Sequence, residues 1–178
     1  MEHLERLGRK LVVEGKLFNY YQDEVRVPSG EVLKFDFIGH KGAAAVLPIR
    51  EDGKILMVRQ YRNALDRETL EIPAGGLEKS DPSPKEAAAR ELKEETGYSS
   101  SNLEWLITIR TTVAFCNERI DIYVAENLTL GEQDLDEFEY INVEAYSIEE
   151  LCEMIYTGKI EDSKTIAAIM SYKNKYEK

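Results

Sequence analysis

The stretch from Ser83 to Gly97 constrains the fold more than any other part of this chain. Ser83-Pro84-Lys85-Glu86 has the form of a capping box with proline at the first helical position. Ala87, Ala88, Ala89 and Leu92 are strong helix formers, and Gly97 is placed to end the helix. Strand-like segments flank it on both sides, so strands and helices interleave in an α/β (α+β) arrangement.

Before the helix, Lys10–Val13, Leu17–Tyr21 and Asp23–Val27 are rich in β-formers. Pro28-Ser29-Gly30 is a turn, and Glu31–Ile38 alternates with period two. Such a meander cannot bury two faces by itself and must pack on the main domain or on a second subunit. Ala43–Pro48 is an apolar run, Glu51-Asp52-Gly53-Lys54 reads as a hairpin turn, and Ile55–Val58 as the next strand. A loop then leads to Glu71-Ile72-Pro73-Ala74-Gly75-Gly76. After the helix, strands are expected near Leu103–Thr112, Ile120–Glu126 and Ile141–Tyr146. A second helix starts at the capping box Ser147-Ile148-Glu149-Glu150 and stops at Gly158. A last one is capped by Asp162 or Ser163 and runs to about Tyr172. The expected division is a β-element over 1–41 and a main domain over 42–178.

Charge narrows the function. Lys and Arg number 23 and Asp and Glu 34, a net charge of −11. That disfavours sequence-independent binding to nucleic acid or to an anionic membrane. A phosphate compound stays accessible to an acidic protein if metal ions and local arginines neutralise it. Cys116 and Cys152 are far apart with no C-x-x-C pair, so they read as reduced thiols and not as a zinc site. The first residues include Glu2, His3, Glu5 and Arg6, without the apolar core of a signal peptide, and no apolar run reaches transmembrane length. A cytoplasmic location is the expectation. His40 has no motif around it and reads as a loop or strand-end residue.

On the helix, Glu91 and Glu95 lie four residues apart and stack on one face, at the edge of the Ala88/Leu92 stripe. Glu94 flanks them, with Arg90 as its partner one turn earlier. Like charges at this spacing repel by a few tenths of a kcal/mol, roughly, and more when desolvated. A divalent cation reverses that cost, and hard oxygen ligands suit Mg²⁺ or Mn²⁺. An isolated E-L-K-E-E string would be no more than a solvated acidic face. Here a glycine turn, a loop, a cap and a terminal glycine surround it.

That context resembles the Nudix hydrolase signature, G-x5-E-x7-R-E-U-x-E-E-x-G-U with U bulky and apolar. Arg90-Glu91-Leu92-Lys93-Glu94-Glu95-Thr96-Gly97-Tyr98 matches its second half at every fixed position. The first half departs. Counting from Gly76 puts Pro82 where the pattern has Glu, whereas counting from Gly75 puts Asp81 there with one extra residue before Arg90. The Gly75 alignment is preferred, because related sequences approach the box as Glu71-Ile72-Pro73-Ala74-Gly75 does.

The resemblance implies a Nudix fold, a mixed β-sheet sandwiched between helices. It implies Glu91, Glu95, Glu94 and the Ala74 carbonyl as ligands of Mg²⁺, or of Mn²⁺, with Arg90 orienting the glutamates. Beyond the box, Val58-Arg59-Gln60-Tyr61-Arg62, Phe115-Cys116-Asn117-Glu118 and Gly158-Lys159-Ile160-Glu161-Asp162 are similar to motifs of the ADP-ribose pyrophosphatase branch. Gly15-Lys16-Leu17-Phe18 and Val27-Pro28-Ser29-Gly30 resemble the N-terminal antiparallel β-meander that this branch exchanges in a homodimer. By the same resemblance Glu137 is the candidate general base and Glu139 a further metal contact. Arg59 and Arg62 meet phosphate or ribose, and Glu118 with Arg119 lines the mouth of the site. Phe18 or Tyr20 stacks on a base from the partner subunit, or else packs in the core. The branch usually carries a proline shortly before its Phe, and Thr111-Thr112-Val113-Ala114-Phe115 has none. Three functions follow: hydrolysis of ADP-ribose to AMP and ribose 5-phosphate, hydrolysis of another nucleoside-diphosphate sugar, or a non-catalytic nucleotide-sensing module.

Overall fold

The computed structural model describes residues 3–16, 18–135 and 137–176. They form two compact units, Met1–Gly42 with Arg110–Arg119, and Ala43–Ile109 with Ile120–Lys178.

The first unit is an antiparallel sheet of β1 (Glu5–Glu14), β2 (Asn19–Arg26) and β3 (Val32–Gly39), with β2 central. The two strands expected over 17–27 are one, because pairing runs unbroken on the β3 side from Asn19 to Arg26; Leu17 itself lies outside the described residues. Arg9 clamps Asp23 with two 2.6 Å hydrogen bonds and lies 3.6 Å from the Phe37 ring centroid. The segment after Arg110 lies along β3, where the Ile38 N–H donates to the Phe115 carbonyl at 2.7 Å and the His40 N–H to Asn117 Oδ1 at 2.7 Å. Every residue of β1 is exposed, and Leu7, Leu11, Val13 and Phe35 remain open to solvent. Taken by itself, the sheet leaves this apolar surface uncovered, as expected for so small a meander.

The second unit holds β4 (Ala43–Pro48), β5 (Ile55–Arg62), β6 (Arg67–Glu71), β7 (Ala74–Gly76), α1 (Pro84–Thr96), β8 (Tyr98–Ser99) and, apart from the terminal Arg110 and Arg119, β9 (Asn102–Arg110) and β10 (Arg119–Glu126). The short β11 (Thr129–Leu130), then β12 (Ile141–Tyr146), α2 (Ile148–Tyr156) and α3 (Ser163–Tyr176) complete it. A mixed sheet has the order β7-β4-β10-β9, with β10 parallel to β4 and β7 antiparallel to it. A second sheet is β12-β5-β6, antiparallel throughout. β4 is buried on both faces, which its unbroken apolar run allows. Ala43, Ala45 and Leu47 join Ile55, Met57, Leu151 and Ile169 in one core, while Ala44 and Val46 join Ala87, Ala88 and Leu92 of α1 in another. The small side chains of β4 thus seat α1 on one face of the mixed sheet, with β5, α2 and α3 on the other.

Two expectations change here. The 51–54 turn forms, with Gly53 at φ +79° and its N–H on the Arg50 carbonyl at 2.9 Å, but it is not a hairpin. One bridge joins Ile49 to Ile55, and β4 and β5 then enter different sheets. The stretch before Glu71, expected as loop, forms β6, with Leu70 buried. The helix boundaries follow their caps. Ser83 Oγ accepts the Glu86 N–H, and Gly97 closes α1 at φ +75° with its N–H on the Lys93 carbonyl. Ser147 and Glu150 complete both halves of a capping box on α2. Asp162 caps α3 through the Thr165 N–H at 2.9 Å, and α3 continues four residues past Tyr172. Among the described residues, no helix is long and apolar enough to cross a membrane.

Candidate active site

The Ala87/Ala88/Leu92 stripe that seats α1 also fixes where its glutamates go. Glu91 and Glu95 sit at the edge of that stripe, 8% and 3% exposed. Glu95 accepts the Ala74 N–H at 3.1 Å. Glu91 lies directly over Gly75, where a Cβ would collide with its carboxylate. The place of the Glu91 carboxylate, not the strand–helix contact itself, therefore requires glycine at 75. At Gly76 a Cβ would meet nothing within 4 Å, so the structure favours the alignment that starts from Gly75.

Arg90 ties the segment together. Its Nη1 donates to Glu91 Oε1 and to Glu94 Oε2, both at 2.8 Å, while Nε and Nη2 grip Asp81 at 3.2 and 3.1 Å. Asp81 also accepts the Glu78 N–H at 2.8 Å, which folds the loop before α1 back toward the helix. Its carboxyl is held below the usual range, chiefly by the Arg90 hydrogen bonds. Asp81, and not Pro82, thus supplies a carboxylate in the irregular half of the motif.

The glutamates are electrostatically strained. Burial pushes Glu95 up to about 8, reinforced by the charge of Glu91. Burial likewise raises Glu91 to about 7 against the pull of Arg90, with Glu94 and Glu139 adding repulsion. Buried carboxylates side by side, with one arginine among them, are a donor set of hard oxygens short of positive charge. That set fits a divalent cation of the Mg²⁺ type. Among the described residues no three such side chains already converge as a cage; Arg90 engages Glu91 and Glu94, so ligation entails an exchange of partners.

β5 and β6 bring a second charged group. Arg62 grips Glu71 through two hydrogen bonds of 2.8 and 2.7 Å, Lys164 of α3 donates to the same carboxylate, and the Thr69 hydroxyl is a third partner at 2.5 Å. Burial alone would raise Glu71, but Arg62, Lys164 and Thr69 together outweigh it and hold the carboxyl at about 2. Lys164 also reaches Asp162, the cap of α3, at 3.0 Å. A cavity of about 590 Å³ opens beside this group, with Arg62, Leu65, Arg67 and Thr69 in its wall.

The segment after β11 docks on the end of α1. The Gly131 N–H donates to the Gly97 carbonyl at 2.7 Å, Gln133 Nε2 to the Glu95 carbonyl at 2.6 Å, and the Asp134 N–H to the Glu94 carbonyl at 3.1 Å. These contacts satisfy carbonyls that a helix end leaves open. The loop then carries Glu139 near Glu91 and Glu95, with Gln60 Nε2 on its carboxylate at 3.2 Å.

The structure therefore gathers Arg90, Glu91, Glu94, Glu95, Ala74 and Glu139, with Arg62 close enough to Glu95 to feel its charge. Arg59 goes elsewhere. Three residues from Arg62 on one strand, it faces the opposite way and is gripped by Glu144 at 2.5 Å. Glu137 is exposed on a turn. Glu118, Phe18 and Tyr20 belong to the first unit. There Glu118 accepts the Thr111 hydroxyl at 2.5 Å and lies 3.6 Å from His40. Phe18 is half exposed beside a cavity of about 280 Å³, and the Tyr20 hydroxyl donates to Asp36 at 2.6 Å. Neither ring is packed in a core within its unit. Sequence reasoning missed Glu71, Lys164, Gln60 and Gln133. Only Glu71 left a signal, a charge between the apolar Leu70 and Ile72 that burial obliges to find a partner.

Comparison with known proteins gives the same outline. The family model of the NUDIX domain matches residues 39–169. The chain is 39% identical over 160 residues to the methanol dehydrogenase activator of Bacillus methanolicus, covering 89% of this chain and 86% of that protein. It is 36% identical over 173 residues to the ADP-ribose pyrophosphatase of Bacillus subtilis (strain 168), covering 95% and 93%. Among solved structures, the crystal structure of an ADP compounds hydrolase superposes with a TM-score of 0.86 over 98% of this chain and 94% of that one, at 19% identity. At that identity the match speaks for the fold.

Proposed function

This chain belongs to the Nudix hydrolase family, and from that premise we propose that it hydrolyses the diphosphate bond of ADP-ribose, giving AMP and ribose 5-phosphate. The buried Glu91/Glu95 pair beside Gly75 carries the reading, since it is the donor set that needs a cation. Glu91 and Glu95, with Glu94, Glu139 and the Ala74 carbonyl, would hold Mg²⁺, or Mn²⁺ in its place. When bound, the ion supplies charge neutralisation of the diphosphate and polarises phosphorus toward attack by water. The near-full-length identity to a relative named ADP-ribose pyrophosphatase supports the substrate.

The chain's own residues do the rest. Arg90 keeps Glu91 and Glu94 in register, itself aligned by Asp81. Arg62, fixed by Glu71, offers the edge of its guanidinium to a phosphate or ribose oxygen in the adjoining cavity, a fork geometry suited to such anions. Glu137 takes the proton of the attacking water. The water's oxygen bonds to one phosphorus as the bridging P–O bond breaks, and positioning provides most of the rate. Residues 1–41 act as the dimerisation element, supported by the open apolar row on β1 and β3. Glu118 and Phe18 or Tyr20 then serve the partner's site. Sedimentation of the purified protein tests this; a monomer at micromolar concentration would remove the dimer.

A product assay with Mg²⁺ across ADP-ribose, ADP-glucose, GDP-mannose and UDP-glucose tests the substrate. ADP-ribose is expected to lead, and a place near the bottom would leave a different nucleotide sugar as substrate. Glu91→Gln and Glu95→Gln are each expected to abolish most turnover, by on the order of a hundredfold or more. Unchanged turnover would refute the assignment. A second reading follows from the relative named as an activator of methanol dehydrogenase: a protein that regulates a partner enzyme. Hydrolysis undetectable on all four compounds would favour it.

A further inference from the structure

Gln60 is held from both sides. On the central strand β5 it pairs with Ile141 of β12 and with Thr69 of β6, so its backbone is fixed in two ladders. Its side chain emerges on the same face as Arg62, two residues on. There its Nε2 donates to Glu139 Oε1 at 3.2 Å, two residues before β12 begins. An ionised carboxylate only accepts, which assigns the amide: nitrogen toward Glu139, oxygen away.

That oxygen is the telling atom. Gln60 Oε1 is the buried side-chain N or O atom without a hydrogen-bond partner among the described residues. Leaving an acceptor buried and unpaired is destabilising, and a methionine of similar shape would avoid it. The amide is therefore poorly explained as packing and well explained by the N–H it presents to Glu139. At the other end of the same loop, Gln133 Nε2 and the Asp134 N–H hold the Glu95 and Glu94 carbonyls. Residues 131–134 are thus fastened on α1, and Glu139 on β5.

We propose that Gln60 is a positioning residue whose amide clasps Glu139 and so holds that carboxylate beside the Glu91/Glu95 pair. A neutral amide can do this without competing for the site. A lysine or arginine at 60 would bring a positive charge beside the carboxylates and weaken their hold on a divalent cation. Only the kinetic part of this inference rests on the hydrolase reading.

The test uses Gln60→Met in the full chain, with Gln60→Asn as a second variant that keeps the amide but shortens its reach. Loop opening is read, in metal-free protein, as the rate of cleavage after Glu137 or Glu139 by a glutamyl endoprotease, which tracks the open population. Loss of one hydrogen bond to a charged group is expected to speed cleavage about tenfold. The thermal midpoint of Gln60→Met stays level or rises, since the unpaired acceptor leaves with the N–H. With substrate, kcat falls about tenfold while KM moves by less than about threefold, the signature of lost transition-state positioning. Combined with Glu139→Ala, and with cleavage read after Glu137 alone, Gln60→Met adds little further cleavage, because each variant removes the same contact. Unchanged cleavage in both variants overturns the clasp. A midpoint that drops together with cleavage resistance assigns Gln60 a structural role and overturns it as well. If wild-type protein hydrolyses no diphosphate while the cleavage result holds, the proposed function fails and the clasp stands.

Discussion

Replacing Gly75 with alanine separates the fold from the site more sharply than any change to a glutamate. A Cβ at this position would overlap the carboxylate of Glu91, meeting Oε1, Oε2 and Cδ together. All three belong to the end of a side chain with three rotatable bonds, so the chain can give way without moving strand or helix. The stability cost is thus confined to the displaced contact, about 1 kcal/mol, at the low end for overpacking. Function has no such escape. Glu91 can clear the methyl only by leaving its place beside Glu95, and the donor set loses one of its two buried members. The expected loss is on the order of a hundredfold in Mn²⁺ affinity, and at least as much in kcat/KM. Gly76→Ala is the matched comparison, with an equal change in chain entropy and no neighbour for the new methyl. Isothermal titration with Mn²⁺ on both variants, beside thermal melts, gives the answer. Gly75→Ala with wild-type affinity and turnover would refute the view that Gly75 exists to let Glu91 approach.

Three further outcomes follow from the electrostatics. Glu91 and Glu95 are raised to about 7 and about 8 in the folded, metal-free chain. Their contribution to stability is present below the unfolded carboxylate range and is lost as pH rises through those values, so the metal-free thermal midpoint should fall between about pH 5 and about pH 8. Saturating Mg²⁺ should reverse the fall with release of protons, and a midpoint flat with pH would contradict the raised values. Glu71, held at about 2, works the other way: its contribution is present above the unfolded range and is lost only as pH falls toward 2. Glu71→Gln takes the buried carboxylate from Arg62, leaves Lys164 with Asp162 alone, and should cost about 3 kcal/mol in urea unfolding; a cost below about 1 kcal/mol would show that water and Asp162, not Glu71, compensate those charges. Arg62→Ala should raise KM more than Arg59→Ala, since Arg59 faces Glu144 on the other side of the sheet; the reverse order would exclude Arg62 as the phosphate contact.

Local signals carried much of this fold. Ser83, Pro84 and Gly97 act within one turn of their own positions, so the ends of α1 could be read directly. The Ala43–Pro48 stretch was visible as an apolar run, and the structure makes it a strand buried on both faces. What could not be read depends on partners far along the chain. Lys164 meets Glu71 across 93 residues, and nothing near either one indicates the other. The 51–54 turn looked like a hairpin because turn chemistry is local, whereas the choice between two sheets is made by the cores on either side of β4. Asp81 and Pro82 were both open as sequence alternatives, and what separates them is the reach of Arg90, a tertiary fact.

Gln60 and the two arginines show why strand parity matters more than motif membership. Val58-Arg59-Gln60-Tyr61-Arg62 reads as one block, yet β5 deals its residues alternately to two faces. Val58, Gln60 and Arg62 fall with Glu71 and Thr69, their register partners or near neighbours on β6. Arg59 falls with Glu144 and Tyr146. From β5 the face toward Glu71 thus receives one arginine, already paired with Glu71, and one neutral amide. A second free guanidinium there would have satisfied the glutamates of α1 as a cation should, leaving them less reason to bind one. The shortage of positive charge around Glu91 and Glu95 is built by which residues β5 turns away as much as by which it presents.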